Sequence, residues 1–185
     1  MRKREGGSVV CLGFFDGVHR GHQALLTAAR EIAQKAGLSV CAHTFDSPPG
    51  GKGAPLTDLE ERIALLKAAG ADQVAVSPFD DNMRTMPGDE FFRRVVLGEM
   101  RARHVVCGDD HRFGFKGAWG AEELKKLCEE AGIGLTVVPP VTLPDGSRIS
   151  TTALRAALEK GDWPRAEEML GRAPSPAMRA MAMEK

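Results

Sequence analysis

The residues best suited to chemistry are two histidines three apart, His19 and His22, in the segment GFFDGVHRGH (13–22). On a helix that spacing places both on one face. They stand where the apolar run Val9-Val10-Cys11-Leu12 gives way to an amphipathic pattern, which reads as a strand-to-helix junction. Such a junction presents unpaired backbone N–H groups and the positive end of a helix dipole, a natural phosphate site. Two imidazole N–H donors would stabilise charge on a transferring phosphate, and Gly21 would let the backbone come close to it. A helix-capping histidine beside an exposed one gives the same short pattern. A metal pair fits less well, because no HExxH and no third ligand follows.

Two other stretches carry similar chemistry. Ser150-Thr151-Thr152 places three hydroxyls at a helix start, with Arg155 one turn on, which makes a second anion site. Ordinary N-capping by Ser150 is the plainer reading. Gly108-Asp109-Asp110-His111-Arg112-Phe113-Gly114 follows an apolar run. It is either a tight turn wrapped around a flat ligand, with Asp110 accepting from a sugar or base or binding a cation, or a solvated turn.

The elements that must position these groups alternate along the chain. Strands are expected at 8–13, 38–44, 73–77, 103–107 and 135–138, and helices at 20–36, 57–69, from 87, 121–131, from 150, and 163–170. Thr57-x-x-Glu60 reads as a capping box. Val-rich, non-alternating strands between helices predict an α/β fold: a Rossmann-like, doubly wound sheet of about five parallel strands with helices on both faces. Ligands bind such sheets beyond the carboxyl ends of the strands, so the loops at 13–22, 44–56, 78–88, 108–120 and 139–152 matter most. Three prolines and three glycines within 46–55 predict a mobile loop. The segment after Gly171 is weakly patterned and expected to fray. The chain is therefore expected to form one domain over 1–172 and a weakly ordered tail over 173–185.

Composition narrows the class. With 25 basic and 25 acidic residues, the zero net charge gives no support for a nucleic-acid or membrane-surface partner. The apolar run after the basic start MRKREGG is too short for a signal core of roughly 7–15 residues. The four cysteines are far apart, which suggests reduced core residues in a cytoplasmic protein.

GFFDGVHRGH resembles the G-x-F-D-G-V-H-x-G-H signature of the FMN adenylyltransferase module of bacterial FAD synthetases, in the nucleotidylyltransferase superfamily. The likeness continues through TFD (44–46), PLTDLEERIALL (55–66), VSPFDDNM (76–83), DEFFRRVV (89–96), HVVCGDDHRFG (104–114), VVPPV (137–141), ISTTALRAAL (149–158) and LGR (170–172). It implies transfer of AMP from ATP to the phosphate of FMN, giving FAD and pyrophosphate. By matched position, His19 and His22 would stabilise the transition state and the leaving pyrophosphate. Ser150, Thr151, Thr152 and Arg155 would hold the β,γ-phosphates. Gly13, Phe15, Asp16 and Gly21 would form the nucleotide side, with Asp110 and Phe113 near the adenosine. Thr44, Phe45, Asp46 and Arg62 would border the flavin. Mg²⁺ is expected with ATP, held mostly by phosphate oxygens and water. His111 stands where the family usually has Phe. Family members usually run on from LGR into a riboflavin kinase module. Here the sequence ends about 13 residues later, so no riboflavin kinase activity is expected. The alternatives are adenylyl transfer to another phosphorylated small molecule, or a non-catalytic flavin- or nucleotide-binding module.

Overall fold

The computed structural model describes residues 6–50 and 53–180. Five strands, β1 (Ser8–Leu12), β2 (Ser39–Phe45), β3 (Gln73–Ser77), β4 (Ala102–Gly108) and β5 (Gly134–Val138), form one parallel sheet in the order β3-β2-β1-β4-β5. β1 lies at the centre and every one of its residues is buried. Its side chains alternate between two cores. Val9 and Cys11 pack with α1 (Arg20–Ala36) and with Leu66 of α2 (Leu59–Ala68). Val10 and Leu12 face the opposite layer. That layer holds α4 (Gly88–Phe91), which follows the short α3 (Asp81–Thr85), and Leu124 and Cys128 of α5 (Ala121–Ala131). A third cluster joins α6 (Thr151–Glu159), α7 (Trp163–Leu170) and α8 (Pro176–Ala180) to Leu56, Leu143 and Ile149. Helices on both faces of a doubly wound parallel sheet match the expected class. The four cysteines are buried and unpaired.

The strand order sets the position of the site. From β1 the chain winds outward through β2 and β3, then returns to the other side of β1 for β4 and β5. The loops leaving β1 and β4 therefore diverge and open a crevice between them.

Three details depart from expectation. First, Thr57 does not cap α2. Asp58 does, its carboxylate accepting from Glu61 N–H at 2.8 Å. The Thr57 hydroxyl is already engaged: it accepts from Gly17 N–H at 3.2 Å and donates to Asp16 at 3.3 Å. Second, α4 runs on without interruption as a π-helical segment over Phe92–Glu99, with Met100 N–H donating to the Val95 carbonyl at 3.0 Å. The wider turn keeps Phe91, Phe92, Val95, Val96 and Met100 all buried. Third, the segment expected to fray instead forms α8, with Met178 fully buried. Residues 181–185, the basic start at 1–5, and Gly51 and Lys52 of the glycine-proline loop lie outside the described residues.

The Thr57 arrangement predicts an asymmetry in stability. Asp58→Ala should cost about 1 kcal/mol, the usual loss of an N-cap. Thr57→Val should cost about 1–3 kcal/mol, because it leaves the buried Gly17 N–H without an acceptor. Denaturant unfolding measures both. A silent Thr57→Val would contradict the assignment.

Candidate active site

The loop after β1 adopts a conformation that its residues disfavour. Phe15 (φ 60°), Gly17 (φ 77°) and Val18 (φ 44°) all lie in the left-handed region. Only the glycine takes that region freely, and a β-branched residue there is an outlier. The turn is held from outside. The buried Asp16 carboxylate accepts from Leu56 N–H at 2.8 Å and from Thr57 N–H at 3.1 Å. Arg172 donates to the carbonyls of Gly17 at 2.8 Å and Val18 at 3.1 Å. Gln23 bridges Val18 to Leu170 through donations of 3.0 and 2.8 Å to their carbonyls.

This turn delivers His19 to the N-cap of α1. His19 Nδ1 accepts from His22 N–H at 3.4 Å, so the neutral ring carries its proton on Nε2. That Nε2 lies 3.5 Å from the Thr151 hydroxyl at the start of α6. The two imidazoles are stacked, with centroids 3.7 Å apart and planes 17° from parallel. Phe15 closes against His22 edge-on at 5.2 Å. Gly21 makes room for this stack: a Cβ there would come within 3.0 Å of the His19 ring. The glycine thus serves the histidine as well as any ligand.

Both rings are held neutral. Burial pushes the His19 pKa from 6.5 down to about 4, and the nearby Arg172 charge adds to the effect. Burial, then the neighbouring His19, drive His22 well below its ordinary value. His22 Nδ1 is buried without a hydrogen-bond partner.

Two adjoining cavities open beyond the carboxyl ends of the strands. The smaller, of about 330 Å³, lies between the β1 and β4 loops. Gly13, Phe15, His19, Gly21 and His22 line one wall. Asp110 and Ser150, Thr151 and Thr152 line the other. The structure therefore brings the two helix starts expected to bind anions into one cleft. Ser150 caps α6 by accepting from Ala153 N–H at 3.1 Å. The larger cavity, of about 670 Å³, is aromatic, with Phe45, Phe79, Phe91 and Phe113 in its walls.

Several expected site residues lie elsewhere. Asp16 is behind the cleft, with its carboxylate engaged by residues 56 and 57. Arg155 lines neither cavity. It donates to the Ala54 carbonyl at 2.9 Å and lies 3.6 Å from Asp16, because its guanidinium neutralises that buried carboxylate. Phe113 lines the larger cavity rather than the nucleotide side. Of the four residues expected at the flavin, Phe45 alone lines the larger cavity. Thr44 is buried and donates to the Phe14 carbonyl at 2.7 Å. Asp46 accepts from Phe79 N–H at 2.9 Å. Arg62, 1% exposed, donates to the Phe45 carbonyl at 2.8 Å and stacks 4.1 Å from the centre of the Phe14 ring. These three support the cavity wall.

The structure adds residues that sequence reasoning did not single out. Arg148 lines the smaller cavity and pairs with Asp109 at 2.6 Å and Asp110 at 3.1 Å. It stands on a hairpin closed by Asp145-Gly146, in which Leu143 N–H donates to the Ser147 carbonyl at 2.8 Å. That Asp-Gly pair was the available signal. His43 of β2 lines the larger cavity, and its Nε2 lies 2.9 Å from the Ser77 hydroxyl. Among the described residues no group of three or more His, Cys, Asp or Glu is placed to hold a metal ion. No described helix is long and apolar enough to cross a membrane.

Comparison with known proteins places this geometry in a family. The FAD synthetase profile matches residues 1–153. A Geobacillus thermodenitrificans protein with the provisional name bifunctional riboflavin kinase/FMN adenylyltransferase is 34% identical over 89% of this chain and 90% of its own length. The bifunctional riboflavin kinase/FMN adenylyltransferase of Pseudomonas fluorescens is 34% identical over 93% of this chain, which spans 57% of that protein. A solved structure described as a macrolide-efflux protein from Streptococcus pneumoniae superposes with a TM-score of 0.81 at 30% identity, covering 92% of this chain and 57% of that one. The histidine cleft, the parallel sheet that forms it and the matched sequence agree: the chain belongs to the FAD synthetase family.

Proposed function

We propose that this chain transfers AMP from ATP to the phosphate of FMN, forming FAD and releasing pyrophosphate. One observation carries the reading: a cleft where His19 and Thr151 meet across two helix starts opens directly into an aromatic cavity large enough for a flat heterocycle. ATP occupies the smaller cavity, with its phosphates between His19, His22 and the hydroxyls of Ser150 to Thr152. The flavin occupies the larger.

An oxygen of the FMN phosphate attacks the α-phosphorus, a new P–O bond forms, and the bond to the β-phosphate oxygen breaks. The attacking phosphate is already ionised at neutral pH, its second pKa being about 6. No general base is required. The protein orients the reactants and stabilises the charge that develops. The Nε2–H of His19 and the hydroxyls at the start of α6 line the same cleft, which supports a role in meeting that charge. As neutral donors the imidazoles stabilise the developing charge without binding the ground state as salts. Mg²⁺ supplied with ATP would be held mostly by phosphate oxygens and water and would neutralise charge on the leaving group.

Pyrophosphate release with ATP and Mg²⁺ tests the reading. FMN should support turnover and riboflavin, which lacks the phosphate nucleophile, should not. Turnover with another phosphorylated acceptor and none with FMN would overturn the choice of substrate. His22→Ala should lower kcat by about a hundredfold or more, and an unchanged kcat would remove it from the transition state.

The histidine environment also predicts pH behaviour. The folded His19 pKa of about 4 lies below its ordinary 6.5, so between these values the unfolded chain binds a proton that the folded chain does not. Its contribution to stability is present above pH 6.5 and lost as pH falls toward 4. An NMR titration of His19 should give a midpoint near 4, and unfolding free energy should fall across that window. A midpoint at or above 6 would contradict the buried, neutral pair.

A further inference from the structure

Five residues line both cavities: Leu12, Gly13, Phe14, His111 and Arg112. They mark the passage between them. Only His111 and Arg112 have polar side chains, and two of the Arg112 nitrogens are tied to its own loop. Its Nε donates to the Gly117 carbonyl at 2.9 Å and its Nη2 to that of Ala118 at 3.4 Å. His111 stacks on Phe113, with centroids 5.8 Å apart and planes 14° from parallel, which fixes the plane of its ring. Its Nε2 is buried and has no hydrogen-bond partner. Leaving such an atom unsatisfied costs about 1–3 kcal/mol, and buried polar groups of this kind ordinarily find a partner.

We propose that His111 binds the phosphomonoester of the acceptor at this passage, its Nε2 holding a non-attacking phosphate oxygen. The inference rests on the adenylyl-transfer reading above. If the flat group of the acceptor lies in the aromatic cavity and the nucleotide in the histidine cleft, the attacking phosphate must cross where the two join. In-line attack needs the reacting atoms about 3–3.5 Å apart, so the phosphate requires a donor that holds it there. Among the residues common to both cavities, His111 alone has a buried polar side-chain atom without a hydrogen-bond partner. Burial pushes its pKa down to about 4, so it orients the phosphate as a neutral ring and leaves the charge on the attacking oxygen. His43 lacks this freedom, because its Nε2 is matched with Ser77.

The test compares FMN with riboflavin, which differ only in the phosphate, by quenching of flavin fluorescence. FMN should bind the wild-type chain more tightly than riboflavin. His111→Phe should weaken FMN binding by about tenfold and leave riboflavin and ATP affinities unchanged. In steady-state assays the KM for FMN should rise while that for ATP stays constant. His111→Gln, which keeps an N–H donor, should recover part of the loss. Equal weakening of both flavins in His111→Phe would show a packing role and overturn the proposal. Equal wild-type affinities for the two flavins would overturn it while leaving the flavin assignment standing. Failure of the wild type to bind either flavin would overturn the flavin assignment and this inference together.

Discussion

The site depends on a turn that the chain does not adopt for its own sake. Phe15 and Val18 sit in left-handed backbone, at a cost on the order of 1–3 kcal/mol each. What offsets this is a set of charged hydrogen bonds from distant segments, each worth about 1.5–3 kcal/mol. The Asp16 carboxylate grips residues 56 and 57 from one side, and the Arg172 guanidinium grips the carbonyls of Gly17 and Val18 from the other. Without that turn, His19 would not reach the end of α1, nor would its ring lie over His22 and toward Thr151. The sheet supplies the crevice, but this constraint places the histidines in it.

Burial and function are linked through the same residues. Two imidazoles with centroids 3.7 Å apart cannot both be cations in a poorly hydrated cleft. Desolvation settles the matter for both rings in the same direction, and the half-buried Arg172 adds to it at His19. The result is a pair of donors whose strength comes from placement rather than net charge. Phe15 packs on His22 and also forms part of the strained turn, so the aromatic wall and the backbone strain are one structural device.

Much of this was legible in the sequence. The alternation of Val-rich runs with amphipathic stretches marked five parallel strands and their helices, because both periodicities arise from burying one stripe or two faces. The bounds of α5 and α7 follow from Gly132, Gly171 and the apolar spacing. HRGH and STT could be read as helix starts, where N–H groups are left unpaired. What could not be read was long-range occupation of side chains. Thr57 looks like a cap until Gly17 claims its hydroxyl. Arg155 looks like a phosphate ligand until Asp16 claims its guanidinium. Arg148 gives no local sign that it enters the cleft, apart from the Asp-Gly turn that aims its hairpin. The π-helical stretch at 92–99 has no signal that we can identify in the residues.

The contacts of Arg172 and Leu170 tie distant parts of the chain together. The groups that hold the histidine loop lie about 150 positions further along the chain, a large entropic closure. All five strands precede α7 in the chain, while the groups that hold the histidine turn, the Leu170 carbonyl and the Arg172 guanidinium, follow them. The strands of the sheet and the contacts that fix the histidine turn thus come from separate stretches of sequence.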